Sequence, residues 1–299
     1  MGRAICNSNP RVGGVLRIAV IGANGFIGRH VLSALNKRNV PCVAVDLLSP
    51  DETTMALADE WRQMDIHNPP ENLFEQTGRP DACIHLAWRG LDNYKSLHHF
   101  EFELPAHFRF LSTLVRQGLH SLVVTGTCFE YGMRTGELIE TMETRPTNAY
   151  GFSKAALCRQ LQFLREETPY ALTWGRLFYL FGTGQSPRSL WGQMQIAVAR
   201  GDTRFPMSGG EQLRDYLPVE IVAEHLVSLA VAQADIGTVN ICSGHPISVR
   251  SLVEQWITSN GWQIQPDFGC YPYPDYEPME FWGSAAKLTN WLQSFNHRS

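Results

Sequence analysis

Long apolar runs are missing from this 299-residue chain: none approaches the roughly 18 residues that a membrane-spanning helix needs. The first residues, MGRAICNSNPRVGG, lack the apolar middle of a signal peptide and read as a flexible polar extension over 1–14. Met1-Gly2 makes no lipidation signal, because Cys6 stands where a Ser or Thr would be needed. A basic excess is missing too. Lys and Arg number 25 against 29 Asp and Glu, a formal charge of -4, which excludes the footprint of a nucleic-acid binder. The seven cysteines are odd in number and include no CxxC pair, so neither a disulfide framework nor a structural zinc site is expected. Cys42, Cys83 and Cys242 fall in apolar runs and read as small buried hydrophobes in a cytoplasmic protein. The histidines show no HExxH spacing, and His98-His99 is assigned to a surface helix rather than a metal site. There is no internal repeat, low-complexity tract or charge block.

What is present is a composition that can pack a core, 44% hydrophobic and 18% charged. VLRIAVIG is a short apolar run ending in Gly22, a buried parallel strand by pattern. Helical spacing follows at Ile27, Val31, Leu32 and Leu35. Further strands are expected in PCVAVD, EWRQMDI, DACIHLAW, HSLVVTGT and YALTWGRLFYLFG, the last as one unbroken strand, with helices over residues 97–117 and 148–167 between them. Strands that alternate with helices imply an α/β fold, a doubly wound, Rossmann-like parallel sheet. After Gly182 the pattern loosens. The expected division is a dinucleotide-binding domain over 15–178 plus about 217–242. A smaller C-terminal substrate lobe, over 179–216 and 243–299, is built from insertions.

Three groups of residues carry chemistry. GANGFIG, with Gly22, Gly25 and Gly28, lies between a strand and a helix, where glycines admit a pyrophosphate to the backbone and the helix N-terminus faces its charge. Asp46 ends the second strand, where a carboxylate can accept the adenosine ribose hydroxyls and repel a 2′-phosphate. That favours NAD, while Arg29 leaves NADP open. Asp65 ends the third strand near where an adenine amino group would lie. The third group is NAYGFSKAAL, which puts Tyr150 and Lys154 one turn apart on a helix, downstream of a strand that ends in Thr125-Gly126-Thr127. A nearby ammonium lowers a phenol's pKa from about 10, which suits Tyr150 to proton transfer while Thr127 holds a carbonyl oxygen.

Together GANGFIG, HLAW, TGTCFEYG, YGFSK and LRDYLPVEIVA resemble the extended short-chain dehydrogenase/reductases, and within them the nucleotide-sugar epimerase, dehydratase and reductase branch, over about Val15 to Leu292. The resemblance implies Thr127, Tyr150 and Lys154 as the catalytic set, with Lys154 also on the nicotinamide ribose. It implies Phe26, Ile27, Ile66, Leu86, Ala87, Trp88 and Thr125 along the cofactor, and Thr127, Cys128, Tyr179 and Arg214 toward substrate, with Arg214 on the nucleotide diphosphate. It also implies a homodimer built on the helices at 97–117 and 148–167.

Departures narrow the activity. Cys128-Phe129 replaces the Asp-Glu pair of the 4,6-dehydratases, which argues against dehydration. Glu130 and Tyr179 resemble the 4-keto-6-deoxy sugar reductases, and Glu103 stands where an active-site Asn is common. Ser284 also falls where an Asp might be expected. The reading is reduction of a C4 ketone on a nucleotide-activated 6-deoxyhexose; the alternatives are an NAD-dependent 4-epimerase and a non-catalytic dinucleotide sensor. The aromatic tail, with Tyr271, Tyr273, Phe281 and Trp282, is expected to close the core of the lobe rather than stack on a base, and Arg89 and Arg188 are open between phosphate binding and solvated loops.

Overall fold

The computed structural model describes residues 15–297; the extension expected over 1–14 lies outside them. Seven strands form one parallel sheet: β1 (Ile18–Ile21), β2 (Cys42–Asp46), β3 (Glu60–Gln63), β4 (Ala82–His85), β5 (Ser121–Thr127), β6 (Ala171–Leu177) and β7 (Gly237–Ile241). Their order is β7-β6-β5-β4-β1-β2-β3. The central strands are buried on both faces, which is why IAVI and ACIH read as continuous rather than alternating apolar runs. Chain order reverses beside β1, between β2 and β4, and such a switch point opens a crevice at the carboxyl ends of the strands.

Helices cover both faces. On one, α1 (Phe26–Lys37) packs Val31, Leu32 and Leu35 against Ile18, Val20 and Ala44. Each of these three side chains is fully buried, which stabilises the layer by roughly 1.5–3 kcal/mol apiece. A charged residue at Leu35 would undo that contact. On the other face, α2 (Leu104–Arg116) and α3 (Ala149–Glu167) bury Phe110, Leu111, Leu157 and Leu161 against β4 and β5. Two expectations about element limits change. The helix foreseen over 97–117 opens with a π-helical turn at His99–Glu103 before α2, whose Pro105 can sit only in a first turn. The single strand foreseen over 170–182 breaks at Phe178. Its continuation, Tyr179–Phe181, leaves the sheet to pair in parallel with Tyr216–Pro218.

A separate apolar cluster gathers Trp191 and Met194 of α4 (Leu190–Arg200), Phe205, and Leu252, Val253 and Trp256 of the helix Val249–Asn260. This cluster stands beyond the carboxyl end of β6, where the sequence pattern loosens. Among the described residues no helix is long and apolar enough to cross a membrane.

Candidate active site

The glycine turn begins where β1 stops. Gly22 adopts φ +83° while its N–H donates to the Val45 carbonyl at 2.9 Å, a left-handed conformation that side chains disfavour. Gly28 lies in the first turn of α1, where a Cβ would meet the Gly22 carbonyl oxygen at 2.3 Å. The N-terminus of α1 carries no acidic side chain in its first turn, so its N–H groups and positive end are left to an external anion. It faces a cavity of about 440 Å³. The cavity lining includes Gly22, Gly25, Phe26, Ile27 and Gly28 of the turn, together with Asp46, Ile66, Leu86, Ala87 and Trp88. The Asp46 carboxylate is fixed there by the N–H groups of Asn24 at 2.9 Å and Leu48 at 3.2 Å. Backbone amides for a pyrophosphate, a carboxylate for ribose hydroxyls and apolar walls together fit a dinucleotide.

Three expected partners of that cavity face elsewhere. Asp65 does not end the third strand as expected: β3 stops at Gln63, and Asp65 lies two residues beyond it. Its carboxylate takes the Arg89 guanidinium at 2.8 Å and the His67 N–H at 3.0 Å, and the residue is not part of the cavity wall. Partial burial opposes that charge, but the His67 N–H and Arg89 hold the carboxyl below its ordinary value. Thr125 donates to the His85 carbonyl at 3.3 Å within the sheet. Arg29 bonds both oxygens of Asn24 at 3.0 Å and lies 3.7 Å from Asp51, so its charge is spent locally.

The Tyr-Lys helix starts where a capping residue allows it. Asn148 accepts the Gly151 N–H at 2.8 Å, which opens α3 and places Tyr150 in its first turn with Lys154 one turn later. The Tyr150 N–H is held by the Tyr94 carbonyl at 3.0 Å. Thr127 ends β5, where its hydroxyl accepts the Phe129 N–H at 3.3 Å and its side chain draws the Tyr150 phenol pKa down. Tyr150 and Lys154 share one helix, and the Trp88 ring lies 6.0 Å from the Tyr150 ring and 4.3 Å from the Lys154 ammonium. The direction of the phenol's shift does not follow expectation. Burial pushes the Tyr150 phenol well up, and Tyr94 and the buried Glu130 add to it. Aromatic rings surround it: Tyr94 at 5.4 Å, His99 at 5.3 Å and Trp88 at 6.0 Å between centroids. Lys154 is 1% exposed, and its desolvation brings the ammonium down to about 7, while Glu130 and Glu103 act in the other direction. The expected stabilisation of a phenolate by Lys154 is thus outweighed by loss of water.

Sequence reasoning missed the support around Lys154. The Lys154 ammonium lies 4.3 Å from the centre of the Trp88 ring. Trp88 in turn stacks on His107 at 4.4 Å and donates its N–H to His99 Nδ1 at 3.0 Å. His99 is fully buried, not on a surface helix as its polarity suggested. Glu103, also fully buried, accepts from His107 Nε2 at 3.1 Å, His98 Nε2 at 3.0 Å and the Arg89 N–H at 3.1 Å, with His67 Nε2 at 2.9 Å. Because Glu103 only accepts, His107 Nε2 carries its hydrogen, and its Nδ1 accepts from His85 Nε2 at 3.1 Å. That leaves His85 Nδ1 bare, and it has no partner among the described residues. The signal was in reach: Glu103 and His107 are four apart on a helix.

Glu130 is fully buried beneath β5. It accepts from the Thr127 N–H at 2.9 Å, Trp174 Nε1 at 2.9 Å and Arg176 Nε at 2.8 Å, so it anchors Thr127 rather than facing a ligand. Cys128 is buried beside it, and burial pushes its thiol up. Tyr179 lines two adjoining cavities of about 290 and 320 Å³ with Tyr216, Tyr276 and Glu277. Its hydroxyl is buried and has no partner among the described residues. Arg214 lines the larger of the two and is paired with Glu277 at 2.9 Å, not free for an incoming group. Phe281 is buried as expected, whereas Tyr271 and Tyr273 are exposed and close no core. Arg188 pairs with Asp92 at 3.3 Å.

The comparisons with known proteins agree with this geometry. The model of the NAD dependent epimerase/dehydratase family matches residues 18–242. The dTDP-6-deoxy-L-talose 4-dehydrogenase (NAD(+)) of Aggregatibacter actinomycetemcomitans is 26% identical over 271 residues, 90% of this chain and 100% of that protein. The structure of MoeE5 in complex with UDP-glucuronic acid and NAD superimposes with a TM-score of 0.76 at 25% identity, covering 92% of this chain and 91% of that one. The UDP-glucose-4-epimerase of Stenotrophomonas maltophila, at 21% identity and a TM-score of 0.81, shares the fold over 92% of this chain and 91% of its own.

Proposed function

The chain belongs to the NAD dependent epimerase/dehydratase family, and from that premise we propose that it is an oxidoreductase acting at C4 of a nucleotide-activated sugar, most directly by reducing a 4-keto-6-deoxyhexose. The observation that carries the reading is Trp88, which lines the glycine-turn cavity and sets its ring 6.0 Å from the Tyr150 ring and 4.3 Å from the Lys154 ammonium, with Thr127 acting on the same phenol. The cavity would hold NAD, with Gly22, Gly25 and Gly28 available to the pyrophosphate and Asp46 to the adenosine ribose. When bound, NAD supplies or accepts the hydride at C4. Tyr150 delivers the proton to the C4 oxygen, and Thr127 holds that oxygen by its hydroxyl. Burial keeps the phenol protonated, the state a proton donor in ketone reduction needs. Lys154, whose ammonium burial brings down to about 7, sits one turn from Tyr150, and its charged form is supported by Trp88, Glu130 and Glu103. The dehydrogenase relative supports C4 of a deoxysugar as the reacting position.

The 4-epimerase is the second reading, favoured by the Asp46 carboxylate and its preference for NAD. One assay separates the two. The purified protein is mixed with NADH and dTDP-4-keto-6-deoxyglucose, and absorbance at the nicotinamide band is followed. Net NADH consumption supports the reductase. NAD that co-purifies tightly and stays oxidised, with turnover of UDP-glucose to its C4 epimer, replaces it by the epimerase. No affinity for any dinucleotide would overturn both.

The quaternary and cellular parts of the reading are a homodimer and the cytoplasm. Phe152 and Phe163 of α3 are more than half exposed, an apolar face that a second copy would cover. Light scattering should return twice the 33.7 kDa chain mass. Five buried free thiols, Cys42, Cys83, Cys128, Cys158 and Cys242, suit a reducing compartment.

A further inference from the structure

Arg214 is bound on every accessible side. Its Nε and Nη2 donate to Glu277 Oε2 at 3.2 and 2.9 Å. Its Nη1 donates to the carbonyls of Leu213 at 2.8 Å and Met279 at 3.1 Å. The guanidinium also lies 4.6 Å from the Phe281 ring centre. The two charged side chains are 3% and 10% exposed, so water screens the pair little. Among the described residues, Arg214 and Glu277 are the only charged ones lining the 320 Å³ cavity, and Glu277 is the only one lining its 290 Å³ neighbour. Cations farther out are matched as well: Lys95 by Asp275 at 3.4 Å, Arg188 by Asp92 at 3.3 Å and Arg250 by Glu211 at 3.7 Å. A diphosphate entering this cleft would meet a carboxylate and no free cation.

The carboxylate sits on an irregular segment of the chain. Glu277 lies between the short strands Gln265–Asp267 and Phe281–Gly283, in a stretch without regular structure that carries Pro272, Pro274 and Pro278. The same stretch reaches the catalytic side: the Tyr276 ring lies 6.4 Å from both Tyr94 and Phe129, and each of those rings lies beside Tyr150. Glu277 also raises the phenol pKa values of Tyr94, Tyr179, Tyr216 and Tyr276 in addition to their burial, so its field spans the cleft.

We propose that Glu277 is a built-in stand-in for the substrate's diphosphate: it occupies Arg214 until the diphosphate takes its place, and the segment 271–278 then withdraws from the cleft. This rests on the nucleotide-sugar reading above. It makes Glu277 a specificity-determining residue, because a dianion can replace the carboxylate on a bidentate guanidinium whereas a neutral glycoside cannot.

The test uses the full chain and three probes, dTDP, UDP and GDP, titrated calorimetrically into the native protein and Glu277→Gln, with NAD binding as the check that each is folded. The expected result is at least tenfold tighter binding of the best probe by Glu277→Gln. In the native protein, amide hydrogen exchange over 271–278 should speed up when that probe is added. Glu277→Asp, which keeps the charge but retracts it, should give a smaller gain. Equal or weaker nucleotide binding by Glu277→Gln overturns the proposal and leaves the nucleotide-sugar reading standing. Unchanged or slower exchange over 271–278 overturns it without any variant. If neither protein binds any of the three probes, the nucleotide-sugar reading falls and takes the proposal with it.

Discussion

The ammonium of Lys154, a residue only 1% exposed, rests 4.3 Å from the centre of the Trp88 indole. A cation over a desolvated indole gains about 2 kcal/mol. Trp88→Leu removes this gain from the charged form only, so Lys154 should lose its proton below the value of about 7 that burial imposes. The alkaline limb of the kcat/KM profile should move down by as much as about 1.5 pH units. A profile that does not move would show that Glu103 and Glu130 alone hold the charge.

Tyr150→Phe keeps the ring that packs against Tyr94 and His99 but removes the proton. Turnover should fall by about 10²–10⁴-fold, the usual contribution of a positioned acid, while NAD affinity stays within about threefold. Stopped-flow turnover and fluorescence titration of NADH check the two halves. Unchanged turnover would support the non-catalytic dinucleotide sensor.

Asp46→Ala frees the backbone N–H groups of Asn24 and Leu48 and removes the repulsion of a 2′-phosphate. NAD should bind about tenfold more weakly and NADP relatively better, because one to two hydrogen bonds to a charged acceptor are lost. Parallel titrations with the two cofactors measure the ratio.

The buried imidazoles give the fold an acid limit. Desolvation brings His107 down to about 4, against the pull of Glu103, and drives His85 well below its ordinary value, with His107 and Lys154 adding to the effect. An unfolded histidine titrates near 6.5. Between that value and about 4 the unfolded chain holds a proton that folded His107 does not, so stability falls as pH falls through this window. The slope reaches about 1.4 kcal/mol per pH unit for each such imidazole. Urea midpoints of the native protein and His107→Gln between pH 7 and 4 should differ in slope by up to about one proton.

The parts of this molecule written in nearest-neighbour chemistry were readable from the chain alone. An apolar run that stops at Gly22, a carboxylate at the end of the next strand and an Asn148 cap ahead of Tyr150 each act within a few residues, and each stands where the pattern put it. What was not readable depends on distant partners. Nothing near Arg214 announces Glu277, 63 residues away. The break after Phe178 follows from a distant partner too: the Tyr179 N–H leaves β7 for the Asp215 carbonyl at 3.1 Å, and no local residue signals it. The upward shift of the Tyr150 phenol is likewise set by burial among Trp88, Tyr94 and His99, a property of the assembled core. His98-His99 shows the same gap: a polar pair read as surface is half drawn inside because Trp88 needs an acceptor.

The strand order also constrains how the chain emerges from the ribosome. Strand β6 is complete at Leu177, yet its edge partner β7 is not made until Ile241. Throughout that interval Trp174, Gly175 and Arg176 present an unpaired, buried-type edge, the kind that pairs with other chains. The intervening stretch includes α4 and the helix Val219–Val231, which packs Val222, Leu226 and Leu229 into the sheet's core. A nascent chain stalled between 182 and 237 would therefore be an aggregation-prone species, and slow translation over that window would lower yield without altering any residue of the finished site.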